Sequence, residues 1–199
     1  MSDIVLWSYD ASPFTQKALR MLGLKGLAWH WVETPMMPPK EDLVALTGGY
    51  RGTPVMQIGA DVYIDSQRIA VELEWRFPRP TLFPGGDRGL ALMLVKWSDA
   101  FFRTGLGIAI QLGAAAWPEA FLADRKHLFP DVDWDSAMRD SAQARSQFRA
   151  HAGLIDRQLG DGRRFLTGDA PGLADIQAQV FTWMARSYFA DVAAALLGR

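Results

Sequence analysis

Residues 78–89, PRPTLFPGGDRG, hold three prolines and three glycines. No helix continues through such a stretch, because proline removes an amide donor and glycine favours the unordered chain. The segment reads as a linker. Before it, strand and helix patterns alternate; after it, every apolar pattern is helical. The expected organisation is therefore an α/β domain over residues 1–77, a linker over 78–89 and an all-α domain over 90–199.

In the first part, Ile4-Val5-Leu6-Trp7 reads as a buried strand that stops at Asp10-Ala11-Ser12-Pro13. Phe14, Ala18 and Leu22 recur every four residues and predict a helix ended by Gly23 and Gly26. Residues 28–32, AWHWV, are the second strand, and 41–46 a short helix after a proline-rich loop. Residues 55–58 and 62–64 form a hairpin about Gly59-Ala60, a turn of the Gly-X kind. Asp65-Ser66 opens a helix carrying Ile69, Leu73 and Phe77. The order is β-α-β-α-β-β-α, with a right-handed crossover between the first two strands. Beyond the linker, residues 90–112, 137–159 and 173–187 carry helical stripes.

Composition narrows the function. Lys+Arg is 21 and Asp+Glu 22, a net charge of -1, so nothing drives binding to nucleic acid or an anionic membrane. No run approaches about 18 apolar residues, so no membrane span is expected. The start, MSDIVLWSYD, lacks the basic and apolar regions of a signal peptide, and a cytoplasmic location is expected. Cysteine is absent, which excludes disulfides, iron–sulfur and thiolate-zinc ligation and a cysteine nucleophile. Asp131, Asp133 and Asp135 imitate the start of a calcium loop, but Ser136 and Ala142 stand where Gly and Glu are needed. His30, His127 and His151 have no metal spacing, so no metal is expected.

Three dipeptides carry possible chemistry. Ser12-Pro13 is an N-cap followed by a proline at the first helical position. The same helix end favours an adjacent anion, and the hydroxyl can donate to a bound thiolate. Thr53-Pro54 precedes a strand, and a cis bond there is expected to turn the Thr53 backbone outward, toward an extended peptide ligand. Asp65-Ser66 caps the third helix, and its free amides and hydroxyl can hold a carboxylate while Asp65 faces an ammonium. All three lie at one end of the predicted domain, in the order of a thiol, a backbone and a zwitterion.

On the segments YDASPFTQKALRMLGL, RGTPVMQIGADVYIDSQRIAVELE and FLTGDAPGLADIQAQVFTW, the chain resembles the cytosolic glutathione S-transferases, of a serine-type, bacterial, omega–zeta-like kind, over nearly its whole length. The resemblance implies a thioredoxin-like N-terminal domain with a helical C-terminal one. It implies glutathione as co-substrate, Ser12 as the catalytic hydroxyl, and Thr53, Pro54, Asp65 and Ser66 in the glutathione site. Lys40 falls where omega-like members hold the glycine carboxylate. Thr15, in the same turn as Ser12, is the alternative thiol donor. A homodimer is implied, with the helix after the linker at its interface, where Asp99 could reach the neighbour's glutathione; otherwise Asp99 and Arg103 read as a solvated pair.

The chain departs from the family in places. Leu19 replaces a basic residue common beside the active-site motif. Near the C-terminus a capping box begins with Gly172 instead of Ser or Thr, leaving Asp175 to bond the Gly172 amide without the reciprocal side-chain bond. The chain ends soon after Leu197, where members usually add a further helix, so an open second-substrate pocket or a shortened chain is expected. The function expected is conjugation of glutathione to small electrophiles. Glutathione-dependent isomerisation of the zeta type is an alternative, for which Lys17 and Arg20 would supply an anion site near Ser12. A non-catalytic glutathione-binding or regulatory protein is another. Mixed-disulfide chemistry of the omega type is excluded by the missing cysteine.

Overall fold

The computed structural model describes residues 3–197. Strand β1 (Ile4–Ser8) lies inside a four-stranded sheet of order β2-β1-β3-β4. Ile4, Leu6 and Ser8 are buried, as strand alternation requires. Helix α1 (Pro13–Leu24) crosses over to β2 (His30–Glu33), which pairs parallel with β1. This strand begins two residues later than the AWHWV segment suggests. The end of α1 consumes those positions: Gly26 adopts φ 64° and the Leu27 amide donates back to the Leu22 carbonyl at 3.0 Å. Helix α2 (Glu41–Thr47) follows, then β3 (Val55–Ile58) and β4 (Asp61–Ile64), both pairings antiparallel. Gly59, at φ 63°, takes the positive dihedral that the first position of the expected turn needs.

Helix α3 (Ser66–Arg76) completes the thioredoxin-like domain. Leu6, Met21, Leu22, Met56, Ile69 and Leu73 form its fully buried core. The core continues without a break into Leu82 of the linker, Val95 and Leu173. The linker itself is clamped. The Lys25 ammonium donates to Glu74 Oε2 at 2.7 Å and to the Phe77 and Pro80 carbonyls at 2.6 and 2.9 Å, while Glu74 Oε2 also accepts the Leu82 amide at 2.9 Å.

The helical domain contains α4 (Arg88–Gly113), α5 (Glu119–Leu128), α6 (Trp134–Arg139), α7 (Ala142–Leu159), α8 (Leu173–Tyr188) and α9 (Ala190–Leu197). Phe101, Phe148 and Phe181 make its centre, with Phe101 ring centroids 4.6 and 5.7 Å from the other two. The stripe over residues 137–159 is two helices, not one. Asp140 is extended (φ -151°, ψ 138°), and its carboxylate accepts the Ala142 amide at 2.8 Å, capping a new start. Helix α5 leaves no stripe in the sequence because none of its residues is fully buried. Among the described residues, no helix is long and apolar enough to cross a membrane.

The Gly172 departure has a steric cause. A Cβ there would lie 2.5 Å from Pro84 Cδ and 2.9 Å from the Leu82 carbonyl oxygen, which accepts the Leu173 amide at 2.8 Å. Asp175 still accepts the Gly172 amide at 2.9 Å and adds the Leu166 amide at 2.7 Å.

Candidate active site

A cleft of about 630 Å³ runs between the two domains. Tyr9, Ser12, Lys40, Tyr50 and Thr53 line it from the thioredoxin-like side, and Phe102, Trp117, Phe121, Phe129 and Tyr188 from the helical side. Its lining includes three basic side chains, Lys40, Arg51 and Arg125, and no acidic one.

Ser12 is the N-cap of α1, with extended backbone (φ -86°, ψ 124°). Its Oγ accepts the Thr15 amide at 3.3 Å, so the hydroxyl proton remains available to a ligand in the cleft. The Tyr188 hydroxyl donates to the Ala11 carbonyl and ties the end of α8 to this loop. Burial, with Tyr9 and Asp10 nearby, pushes the Tyr188 phenol up to about 12, so it remains a donor at neutral pH. Thr15 is not an alternative thiol donor. It is fully buried, its hydroxyl bonds to Ser8, and it lies outside the cleft lining.

The Thr53–Pro54 bond is cis, as expected. Thr53 reaches the cleft, whereas Pro54 is buried behind it. Lys40 precedes α2 and is 7% exposed, with its ammonium 5.2 Å from the Tyr9 ring centroid. Burial first, then the fields of Arg125 and Arg51, bring its pKa down to about 8.

Asp65 and Ser66 lie at the N-terminus of α3, outside the cleft lining itself. Asp65 is an N-cap in practice: its Oδ1 accepts the Gln67 and Arg68 amides at 2.6 and 3.3 Å. Among the described residues it is the one non-glycine with positive φ, 74°. Its field still reaches the cleft, raising the Tyr50 phenol after burial has done so. Ser66 is buried and accepts a hydrogen bond from the Lys17 ammonium at 3.2 Å, which leaves the serine proton to donate outward.

Lys17 is the residue that motif reasoning undervalued. It is 1% exposed, and burial brings its pKa down to about 8 against the opposing pull of Asp65 and Asp99. A signal was present, since a lysine three residues after Phe14 stands on the apolar face of α1. Its amine turns to Ser66, and Arg20 bonds Gln16, so neither builds an anion site beside Ser12 in the cleft. Asp99 pairs with Lys96 at 2.8 Å and Arg103 with Asp131 at 2.8 Å, not with each other. Arg51 and Arg125 carry no motif and were not singled out by the sequence. Among the described residues, no group of three His, Asp or Glu side chains forms a metal site.

Residues 6–81 match the glutathione S-transferase N-terminal domain family. A comparison with curated proteins finds no match. Among solved structures, a GST-like protein from Pseudomonas syringae is 34% identical with a TM-score of 0.72. The alignment covers 98% of this chain but only 62% of that one, so the chain spans less than two thirds of this relative. A glutathione S-transferase from Rhodospirillum rubrum is similar at 22% identity and TM-score 0.69, over 98% of this chain and 88% of that one. A Ceriporiopsis subvermispora glutathione S-transferase, crystallised with glutathione, is similar at 21% identity and TM-score 0.72, over 94% and 86%. The N-terminal domain match, the Pseudomonas relative and the two-domain fold agree: the chain has the glutathione S-transferase fold, and its residues 6–81 belong to the glutathione S-transferase N-terminal domain family.

Proposed function

We propose that this protein is a serine-type glutathione transferase, which conjugates the glutathione thiolate to small electrophiles. The observation that carries the reading is the free hydroxyl proton of a buried Ser12, at the N-terminus of α1 and facing an aromatic cleft.

A free thiol has a pKa near 8.5, so about a few per cent is ionised at neutral pH. Each tenfold gain in its acidity needs about 1.4 kcal/mol. The Ser12 hydroxyl, as a hydrogen bond to a charged group, contributes roughly 1.5–3 kcal/mol toward the anion, and the end of the helix up to roughly 1 kcal/mol more. Ser12 acts here as a donor, not a base. Lys40 holds the glycine carboxylate, and the Thr53 backbone pairs with the peptide. Ser66, with Lys17 beneath, holds the γ-glutamyl carboxylate, and Asp65, whose Oδ1 already accepts the Gln67 and Arg68 amides, holds its ammonium. These residues fit the ligand: cations and free donors meet its two carboxylates, and one carboxylate meets its amine. The sulfur then forms a bond to the electrophilic carbon as the leaving group departs, against the aromatic wall of the helical domain.

The protein is further proposed to work as a cytoplasmic homodimer. Trp75 on α3 and Met93 on α4, 75% and 69% exposed, support a partner surface on those helices.

Calorimetry of glutathione binding to wild type and Ser66→Ala, with thiolate absorbance followed in the same samples, tests the proposal. Binding that is lost in the variant, with thiolate formed near neutral pH, is expected. No binding at millimolar glutathione overturns it.

A further inference from the structure

The cleft between the two domains holds more positive charge than one glutathione carboxylate needs. Arg125 on α5 donates to Asp124 Oδ2 at 2.6 Å and to the Met36 carbonyl at 3.0 Å, and its guanidinium lies 4.8 Å from the Phe121 ring centroid. Arg51, from the loop before β3, donates to the other oxygen of Asp124 at 2.7 Å. Asp124 is thus shared by two guanidiniums, while Lys40 adds a third cation to the same lining. Arg125 Nε and Arg51 Nη2 are buried with no acceptor among the described residues. Buried donors of this kind are costly unless an acceptor arrives. Burial first, and then like-charge repulsion from Arg125 and Arg51, disfavour the charged form of Lys40.

Phe121, one turn before Arg125, joins Trp117 and Phe129 in the wall of the same cleft, with Trp117 edge-on to Phe121 at 5.2 Å. An aromatic wall ending in an under-neutralised guanidinium matches a flat ring with an anion at its rim. With Lys40 assigned to glutathione, Arg51 and Arg125 remain, and Arg125, on the same helix as Phe121 and 4.8 Å from its ring centroid, is the one that borders the aromatic wall.

We propose that the electrophile is an aromatic compound bearing a carboxylate, its ring on Phe121 and Trp117 and its carboxylate on Arg125. This rests on the glutathione transferase reading and names the class of its second substrate. For a nitroaryl chloride, the glutathione thiolate attacks the ring carbon that carries chlorine. A C–S bond forms, the C–Cl bond breaks and chloride leaves with its electron pair, with no change in oxidation balance.

The test compares a chlorodinitrobenzoate with the matching chlorodinitrobenzamide, which differ in charge but little in size. Each kcat/KM is divided by the uncatalysed rate with glutathione, and glutathione binding is measured calorimetrically in the same preparations. Wild type is expected to prefer the benzoate by about tenfold, the worth of one charge-assisted hydrogen bond. Arg125→Met should bring the ratio close to one, and Arg125→Lys should retain part of it. A misfolded Arg125→Met leaves the wild-type ratio and the Lys variant as the readout. Glutathione binding with a wild-type ratio near one overturns this proposal alone. So does a preference that survives Arg125→Met, or an Arg125→Met variant that loses glutathione binding and turnover of both electrophiles equally, since Arg125 would then serve the glycine carboxylate. Absence of glutathione binding overturns the transferase reading and this proposal with it.

Discussion

The buried Lys17 ammonium of α1 donates a 3.2 Å hydrogen bond to Ser66 Oγ at the first position of α3. A cation is thereby held behind the helix end that the proposed site offers to a carboxylate. Burial brings its pKa down to about 8, so keeping it charged costs stability, by about 1.4 kcal/mol for each tenfold loss of proton affinity. The sign follows from proton counts. Between pH 8 and the ordinary lysine range, the unfolded chain holds a proton that folded Lys17 has released, so stability rises with pH there. The full cost is present below pH 8. Lys17→Met is therefore expected to be more stable than wild type at pH 7, by about 1–3 kcal/mol, with an advantage that shrinks as pH rises past 8. Glutathione affinity should fall about tenfold in the same variant. Denaturant titrations at both pH values check this, and a stability difference independent of pH would show that the buried charge is not its source.

Lys40 gives a second pH dependence, opposite in consequence. Its pKa of about 8 belongs to a cation that must be charged to hold a carboxylate, and a bound carboxylate raises it again. Affinity is thus complete below pH 8 and falls above it. S-methylglutathione removes the thiol's own titration from the measurement. Its binding is expected to weaken across pH 8 to 10 in wild type. In Lys40→Met it should be weaker throughout and flatter with pH, the remaining slope belonging to Lys17 and to the ligand's own α-ammonium, which Asp65 holds. An unchanged profile in the variant would remove Lys40 from the site.

The alternation of strands and helices was legible because each element buries one clear stripe: Leu6 in β1, Leu22 in α1, Leu73 in α3. The caps at Ser12 and Asp65 were legible because capping residues act within a few positions of themselves. Long-range pairs were not. Nothing local says that Lys17 meets Ser66 forty-nine positions away, or that Arg51 shares Asp124 with Arg125. Helix α5, which brings that arginine, escaped because no residue in it is fully buried. The break between α6 and α7 escaped because Asp140, which breaks the helix by its extended backbone and caps the next with its carboxylate, lies inside a continuous apolar period.

Ser12→Ala tests the donor directly. The variant keeps the end of α1 facing the cleft but loses the hydroxyl proton, and with it a hydrogen bond to an anion worth about 1.5–3 kcal/mol. The pKa of bound glutathione should rise by about one to two. At pH 7, kcat/KM for an uncharged electrophile should fall about tenfold to a hundredfold, and the pH–rate profile should move upward with it. Thiolate absorbance against pH, in wild type and variant, is the decisive measurement. An unmoved thiol pKa would assign the ionisation to the helix end alone.

Gly172→Ser reads the departure from the capping box as a packing requirement. Serine is the better N-cap residue in isolation, and an intrinsic gain of a few tenths of a kcal/mol is what local propensity predicts. The structure opposes this gain. The new Cβ would meet Pro84 and the Leu82 carbonyl inside van der Waals contact, pushing the linker away from α8 and stretching the Leu173–Leu82 hydrogen bond. Overpacking at a rigid backbone costs about 1–3 kcal/mol, which outweighs the cap. The variant is expected to be less stable by about 1–2 kcal/mol, and Gly172→Ala by at least as much, since alanine adds the same Cβ with no cap. Thermal and denaturant unfolding of the three proteins separates the two effects. If Gly172→Ser proves more stable than wild type, the contact with Leu82 and Pro84 is soft and the glycine has no steric role.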